Sequence, residues 1–212
     1  ISRGLVGSEM CIRDRYKGGA YNMFFRDLKS IAENRGFAAI VGDIGMGKTT
    51  LFQDLQRKLG SNCRVVIPKC LDKENLRINA IVNALIFQLS EEGPRHDFEA
   101  RSVQVGRILG DVVVSQGQRV VLMIENAHRL HWKTLLSLKE LREMEFAGRS
   151  PLFGSVLVGQ TPLMARLRRL KEIYLRMEFI PMNAKTGWMN EKERKRFLSH
   201  LFGDLLSEQV RG

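Results

Sequence analysis

GFAAIVGDIGMGKTTL, residues 36–51, is the stretch on which the fold turns. Its first part, Phe37 to Val41, is a short continuous apolar run closed by glycine, the pattern of a strand covered on both faces. Its last part opens the segment Lys48 to Leu59, whose apolar positions recur at helical spacing. Between them Gly42, Asp43, Ile44, Gly45, Met46, Gly47, Lys48 and Thr49 fit G-x-x-x-x-G-K-[ST] at every fixed position. The strand-loop-helix context is the one this phosphate-loop motif requires. Glycines let the backbone wrap closely round phosphates, and the N-terminus of the following helix presents partial positive charge to the same anion. Lys48 is expected to reach the β- and γ-phosphates, and the Thr49 hydroxyl to bind Mg²⁺. Thr50 continues the loop into the helix as a capping or packing residue. The competing reading is a glycine-rich turn that binds nothing.

Working outward, Arg64 to Pro68, Arg119 to Ile124 and Leu152 to Val158 are further short apolar runs. Helical spacing appears in Tyr21 to Asn34 (Met23, Phe24, Leu28, Ile31), Asn75 to Leu89, Phe98 to about Val114 and Thr134 to Phe146. Apolar strands alternating with helices predict a parallel sheet covered on both faces, an α/β three-layer architecture. The run Val120 to Ile124 ends in Glu125, where a phosphate-loop protein needs a carboxylate to hold the magnesium shell. A carboxylate closing an ordinary strand is the bland alternative.

The chain has 212 residues, is 44% hydrophobic and 27% charged, and so fits one soluble domain, alone or with a small appendage. Disorder throughout is excluded by that balance, and no apolar run approaches the ~18 residues of a membrane span. A cytoplasmic protein without membrane contact is expected. Cys11, Cys63 and Cys70 are odd in number and lack C-x-x-C spacing, so they support neither a disulfide framework nor a zinc site. A formal charge of +11 makes a polyanionic partner such as nucleic acid plausible. Residues 161–212 hold eleven Lys and Arg against six Asp and Glu, so the excess leans toward the C-terminal part. Arg166, Arg168, Arg169 and Lys171 form a basic cluster on one predicted helix, either a solvated face or a phosphate contact.

VLMIENAHRL, residues 121–130, resembles the hhhh(D/E)EAH segment of AAA+ ATPases of the group that includes the transposition regulators TnsC and MuB and the secretion-associated ExeA ATPases. GFAAIVGDIGMGKTTL, LKELREMEFAGRSPLFGSVLVGQTPL and LKEIYLRMEFIPM agree with it in order, so the resemblance covers roughly Tyr21 to Phe202. It implies a nucleotide-binding domain over residues 16–182 and the start of a helical lid over 183–212, with Asn190 and Glu193 at its opening. Residues 1–15, ISRGLVGSEMCIRDR, lack periodicity and resemble translated sequencing adapter.

The resemblance also assigns roles. ATP and Mg²⁺ are the implied cofactors, with Thr49 and Glu125 toward the metal. The family's water-polarising glutamate follows the first acid, and here that place holds Asn126. An amide cannot accept a proton as general base, so hydrolysis is expected to be slow unless Glu125 itself orients the water. Gln160 stands where the family carries a polar residue sensing the γ-phosphate. Arg176 is a candidate to reach a neighbouring subunit's nucleotide, which needs a homo-oligomer; the alternative is a surface arginine pairing with Glu172. His128 is either a cap for the following helix or a relay of nucleotide state. The expected function is an ATP-dependent regulator that binds double-stranded DNA through backbone contacts and directs a transposase. Lys69 to Lys73 or Arg149 are possible contacts. An ExeA-like ATPase and a non-hydrolysing nucleotide switch are the alternatives.

Overall fold

A computed structural model describes residues 19–59, 62–69 and 76–182. Five parallel strands form one sheet in the order β2-β3-β4-β1-β5. They are β1 Phe37–Gly42, β2 Cys63–Val66, β3 Arg119–Ile124, β4 Gly154–Gly159 and β5 Glu178–Met182. The expected α/β three-layer architecture is what the chain adopts. β1 lies between β4 and β5, with Ala39 opposite Leu157 on one side and Phe179 on the other.

Successive residues of each strand feed two separate cores, as the alternation of side chains along a strand requires. Ala38, Ile40, Val121, Met123, Val156 and Val158 pack with α1 (Gly19–Glu33) and α2 (Lys48–Lys58). Phe37, Ala39, Val120, Leu122, Ile124 and Leu157 face the other way. They meet α3 (Ile78–Leu89), α4 (Phe98–Gly110, continued by a wide turn Asp111–Ser115), α5 (Trp132–Arg142) and α6 (Pro162–Arg169). Burial on both faces explains why the strands read as unbroken apolar runs rather than alternating ones.

Four features differ from the sequence expectation. The helix expected to reach Phe146 stops at Arg142, because Ala147 (φ 49°) and Gly148 (φ 73°) make a tight turn that pairs Phe146 with Arg149. Phe146 then fills the space over Gly110, where a Cβ would stand 2.3 Å from its ring. The basic segment 166–171 is not one helix. At about 100° per residue a continuous helix would turn Ile173 roughly 120° away from Leu167. A break at Leu170 starts α7 (Lys171–Tyr174) and lets both residues bury completely. Met23, counted on the apolar face of α1, is 54% exposed, while Phe24, Leu28, Ile31 and Ala32 form the buried stripe. β5, which lies within the quoted stretch LKEIYLRMEFIPM but is not among the expected strands, is an edge strand of the sheet.

Cys63 is a free, half-buried thiol on β2, and burial with the nearby Glu33 pushes its pKa up. Cys11, Cys70, the adapter-like residues 1–15 and the lid residues from 183 onward lie outside the described residues. Among the described residues no helix is long and apolar enough to cross a membrane.

Candidate nucleotide site

The C-terminal ends of β1, β3 and β4 converge, and the loops leaving them build one cleft of about 170 Å³. It is lined by Ile44, Gly45, Lys48 and Thr49 from the phosphate loop, Glu125 and Asn126 from the end of β3, and Gln160 from the end of β4. Residues up to 116 positions apart in sequence are thereby brought to one place by the strand order alone.

The loop has the backbone its glycines predict. Gly45 (φ 82°) and Gly47 (φ 70°) are both left-handed, a region that costs an L side chain roughly 1–2 kcal/mol. Gly47 caps the N-terminus of α2 without a side-chain bond, leaving the amides at that end free of side-chain capping. Gly42 is needed for a different reason, since a Cβ there would meet the Met182 carbonyl oxygen of β5 at 2.0 Å. Met46 packs toward the core shared with α1 and α2, and Thr50 lies half-buried on α2.

Lys48 donates to the backbone carbonyl of Asp43, and its pKa is lowered by burial, partly offset by the Asp43 charge. Asp43 in turn accepts a 2.6 Å hydrogen bond from the Thr161 hydroxyl, which ties the loop to the residue after Gln160. Thr49 is exposed and Glu125 half-buried at the cleft wall. Asn126 is exposed and left-handed (φ 55°), a conformation that Asn adopts several-fold more readily than most residues.

Among the described residues no group of three or more His, Cys, Asp or Glu could hold a metal by itself. That donor set fits Mg²⁺, which is commonly held by one or two protein oxygens together with substrate phosphates and water rather than by an all-protein cage. Thr49 and Glu125 supply two such oxygens on facing walls.

His128 does not cap the next helix. That role belongs to His131, whose Nδ1 accepts from Lys133 N–H at 3.3 Å at the start of α5. The Nδ1 of His128 instead accepts the backbone N–H of Gln160 at 3.3 Å. Burial, then Arg129, Arg166 and Lys48, lower its pKa, so the neutral acceptor form is favoured. This link between the walls of the cleft has no sequence signal, because it joins residues 32 apart through a main-chain donor.

Arg176 lies elsewhere. It precedes β5, at the N-terminal edge of the sheet, and pairs with Glu143 rather than with Glu172, which binds Lys139 at 2.9 Å. Arg149 sits in the turn preceding β4, on that same far edge, while Lys69 is exposed just after β2 on the cleft side. Residues 70–73 lie outside the described part.

A family model described as an AAA domain matches residues 31–167, more than half of the chain. No curated protein matches the sequence. Among solved structures, the Aeropyrum pernix ORC2 protein in ADPNP-ADP complexes is similar with a TM-score of 0.59 and 15% identity over 95% of this chain and 54% of that one. CDC6P from Pyrobaculum aerophilum follows at 0.57 and 18% over 84% and 47%. A Walker-type ATPase of Pyrococcus abyssi is similar at 0.60 and 14% over 91% and 61%. At such identities the likeness is one of fold, and the chain spans between about half and three fifths of these proteins.

Proposed function

Because the chain belongs to the AAA domain family, we propose that it is an ATP-binding module that assembles on double-stranded DNA as a homo-oligomer and directs a transposase to its target, with slow ATP hydrolysis. The observation that carries the nucleotide reading is the single cleft in which Lys48, Thr49, Glu125, Asn126 and Gln160 meet. The similar Aeropyrum pernix fold, solved in ADPNP-ADP complexes, supports the same reading.

In this proposal the phosphate-loop amides and Lys48 hold the triphosphate, and Thr49 and Glu125 hold Mg²⁺, which neutralises the charge developing on the phosphates. Gln160 contacts the terminal phosphate or the attacking water. Asn126 occupies the position of the general base, and its amide leaves the water without a proton acceptor. Arg176, on the opposite edge of the sheet, acts only if a neighbouring subunit brings its own cleft to it. The charge of +11 supports a DNA partner over an envelope one.

Titration with fluorescent ATP and Mg²⁺ tests the core of the proposal. The chain binds, and Lys48→Ala weakens binding by about a hundredfold, toward the low end of the cost of removing one partner of a hydrogen-bonded charge pair. Absence of uptake by the unaltered chain overturns the whole reading. A second reading, a switch that never hydrolyses, is favoured by the left-handed backbone of Asn126, which suits Asn better than Glu. Single-turnover hydrolysis separates the two: any Mg²⁺-dependent phosphate release abolished by Lys48→Ala excludes it.

A further inference from the structure

A second cleft, of about 850 Å³, opens beside the nucleotide site between the segment following β3 and α6. It is five times the size of the nucleotide cleft at about 170 Å³. Arg129, Arg166 and Arg169 line it together with His128, His131 and Trp132, and among the described residues no carboxylate does. Among the described residues none of the three arginines forms an ion pair. Arg166 donates to the Leu130 carbonyl at 2.9 Å and so fixes α6 to the post-β3 segment, while Arg129 and Arg169 stay exposed. Trp132 is 51% exposed, with the Lys133 ammonium 5.6 Å from its ring.

Unpaired guanidiniums spread over such a volume exceed what one phosphate can occupy, and they suit a chain of phosphates. An indole open to solvent beside them offers the flat face on which a base or sugar stacks, and that combination is the usual platform for a nucleic-acid strand. An acidic peptide would satisfy the arginines and leave the indole unexplained.

His128 belongs to both clefts. It lines the basic one, and its Nδ1 receives the Gln160 N–H that forms the wall of the other. The contact is tightly held from behind: a Cβ on Gly159 would come 2.7 Å from Leu163 Cδ2 of α6 and 3.2 Å from the His128 amide nitrogen.

We propose that the cleft between Arg129, Trp132 and Arg169 is where this chain grips the phosphodiester backbone of DNA, and that His128 is the positioning residue through which DNA and nucleotide sense one another. The proposal rests on the DNA reading above and gives it a place, on the cleft side of the sheet and away from Arg149. Reciprocity follows from linkage, so whatever factor ATP adds to DNA affinity, DNA adds to ATP affinity.

The test uses the full chain with Mg²⁺ and a non-hydrolysable ATP analogue. Labelled oligo(dT) and a labelled duplex are titrated by anisotropy at about 50 and 200 mM salt, a range over which phosphate contacts separate clearly. Arg129→Ala with Arg169→Ala is expected to weaken binding at least tenfold and to flatten the salt slope by about two charges. In a Trp188→Phe background, DNA is expected to quench the remaining Trp132 emission, and Trp132→Ala to cost at least fivefold with oligo(dT), the low end of base stacking. Arginine effects on oligo(dT) alone keep the cleft but overturn the double-stranded reading on which it rests; equal arginine effects on both forms, with the Trp132 effect confined to oligo(dT), support a grip on the backbone of either. His128→Ala is expected to bind DNA with an affinity that no longer depends on the analogue. Salt-sensitive DNA binding that ignores the arginine pair overturns the cleft while leaving the DNA reading intact. No DNA binding by the unaltered chain overturns both, as does arginine-dependent binding of polyglutamate without DNA. Undiminished nucleotide dependence in His128→Ala overturns the relay.

Discussion

Lys48 and Arg142 are both partly buried cations held by main-chain carbonyls instead of carboxylates, and they sit at opposite edges of the same sheet. Lys48 has one such partner, Asp43, on a loop. Arg142 has four acceptors: the carbonyls of Gly36 (3.2 Å), Phe153 (2.8 Å) and Arg35 (3.0 Å), and the Ser155 hydroxyl (3.2 Å). Its guanidinium also lies over the rings of Phe37 at 4.7 Å and Phe153 at 5.8 Å. Burial pushes its pKa down to about 10, which still leaves it charged at neutral pH. The donors of Arg142 are consumed by the fold, where they tie the starts of β1 and β4 to the end of α5. The donors of Lys48 are barely engaged, which is the state a ligand-binding cation needs.

The comparison breaks most sharply at Arg142. Arg142→Ala leaves several buried acceptors without a donor, and unfolding in urea is expected to show a loss of about 3–5 kcal/mol. Arg142→Lys recovers only part of it, because one ammonium cannot span both arms of the fork. A change below about 1 kcal/mol for Arg142→Ala means the clamp is not structural. Next in size is the contrast at the other edge: Lys48→Ala removes about 3 kcal/mol of ATP affinity by the hundredfold expected above, yet shifts the urea midpoint without ligand hardly at all. Equal losses of stability at the two positions erase the distinction.

Asn126→Glu sharpens the site itself. Supplying a carboxylate at the base position is expected to raise ATP turnover about a hundredfold, the low end of general-base effects. It should also cost about 1 kcal/mol of stability, since glutamate must enter the left-handed region at φ 55°. Faster turnover with no loss of stability shows that the loop relaxes; an unchanged rate assigns the water to Glu125. The smallest effect concerns His128. Its pKa is lowered in the folded chain, so between that value and the ordinary value of about 6.5 the unfolded chain binds more protons. Stability therefore rises with pH through this window and is lost as pH falls into it. Thermal melts from about pH 7.5 downward should show a steeper decline than in His128→Asn, and parallel curves contradict the neutral imidazole.

These two edges also differ in how legible they were. The phosphate loop could be read because its eight residues are contiguous and each has a chemical reason for its place. Glu125 and Asn126 followed because a strand ending beside that loop must be near in space. Arg142 was invisible: within a helical segment it reads as an ordinary solvated charge, and its partners Arg35, Gly36, Phe153 and Ser155 are scattered on both sides in sequence. The basic cleft was half legible. Arg166 and Arg169 drew notice as a charge run, but their meeting with Arg129 and Trp132 depends on where α6 docks, which periodicity does not encode. The same limit left a helix cap as one of two readings of His128, a role that His131, three residues on, performs.

The missing side chain at Gly42 lets β5 run directly against the root of the phosphate loop, with Met182 in register beside it. Any side chain at position 42 would therefore have to push the last strand and the phosphate loop apart, so a single methyl group there would be felt in two elements at once.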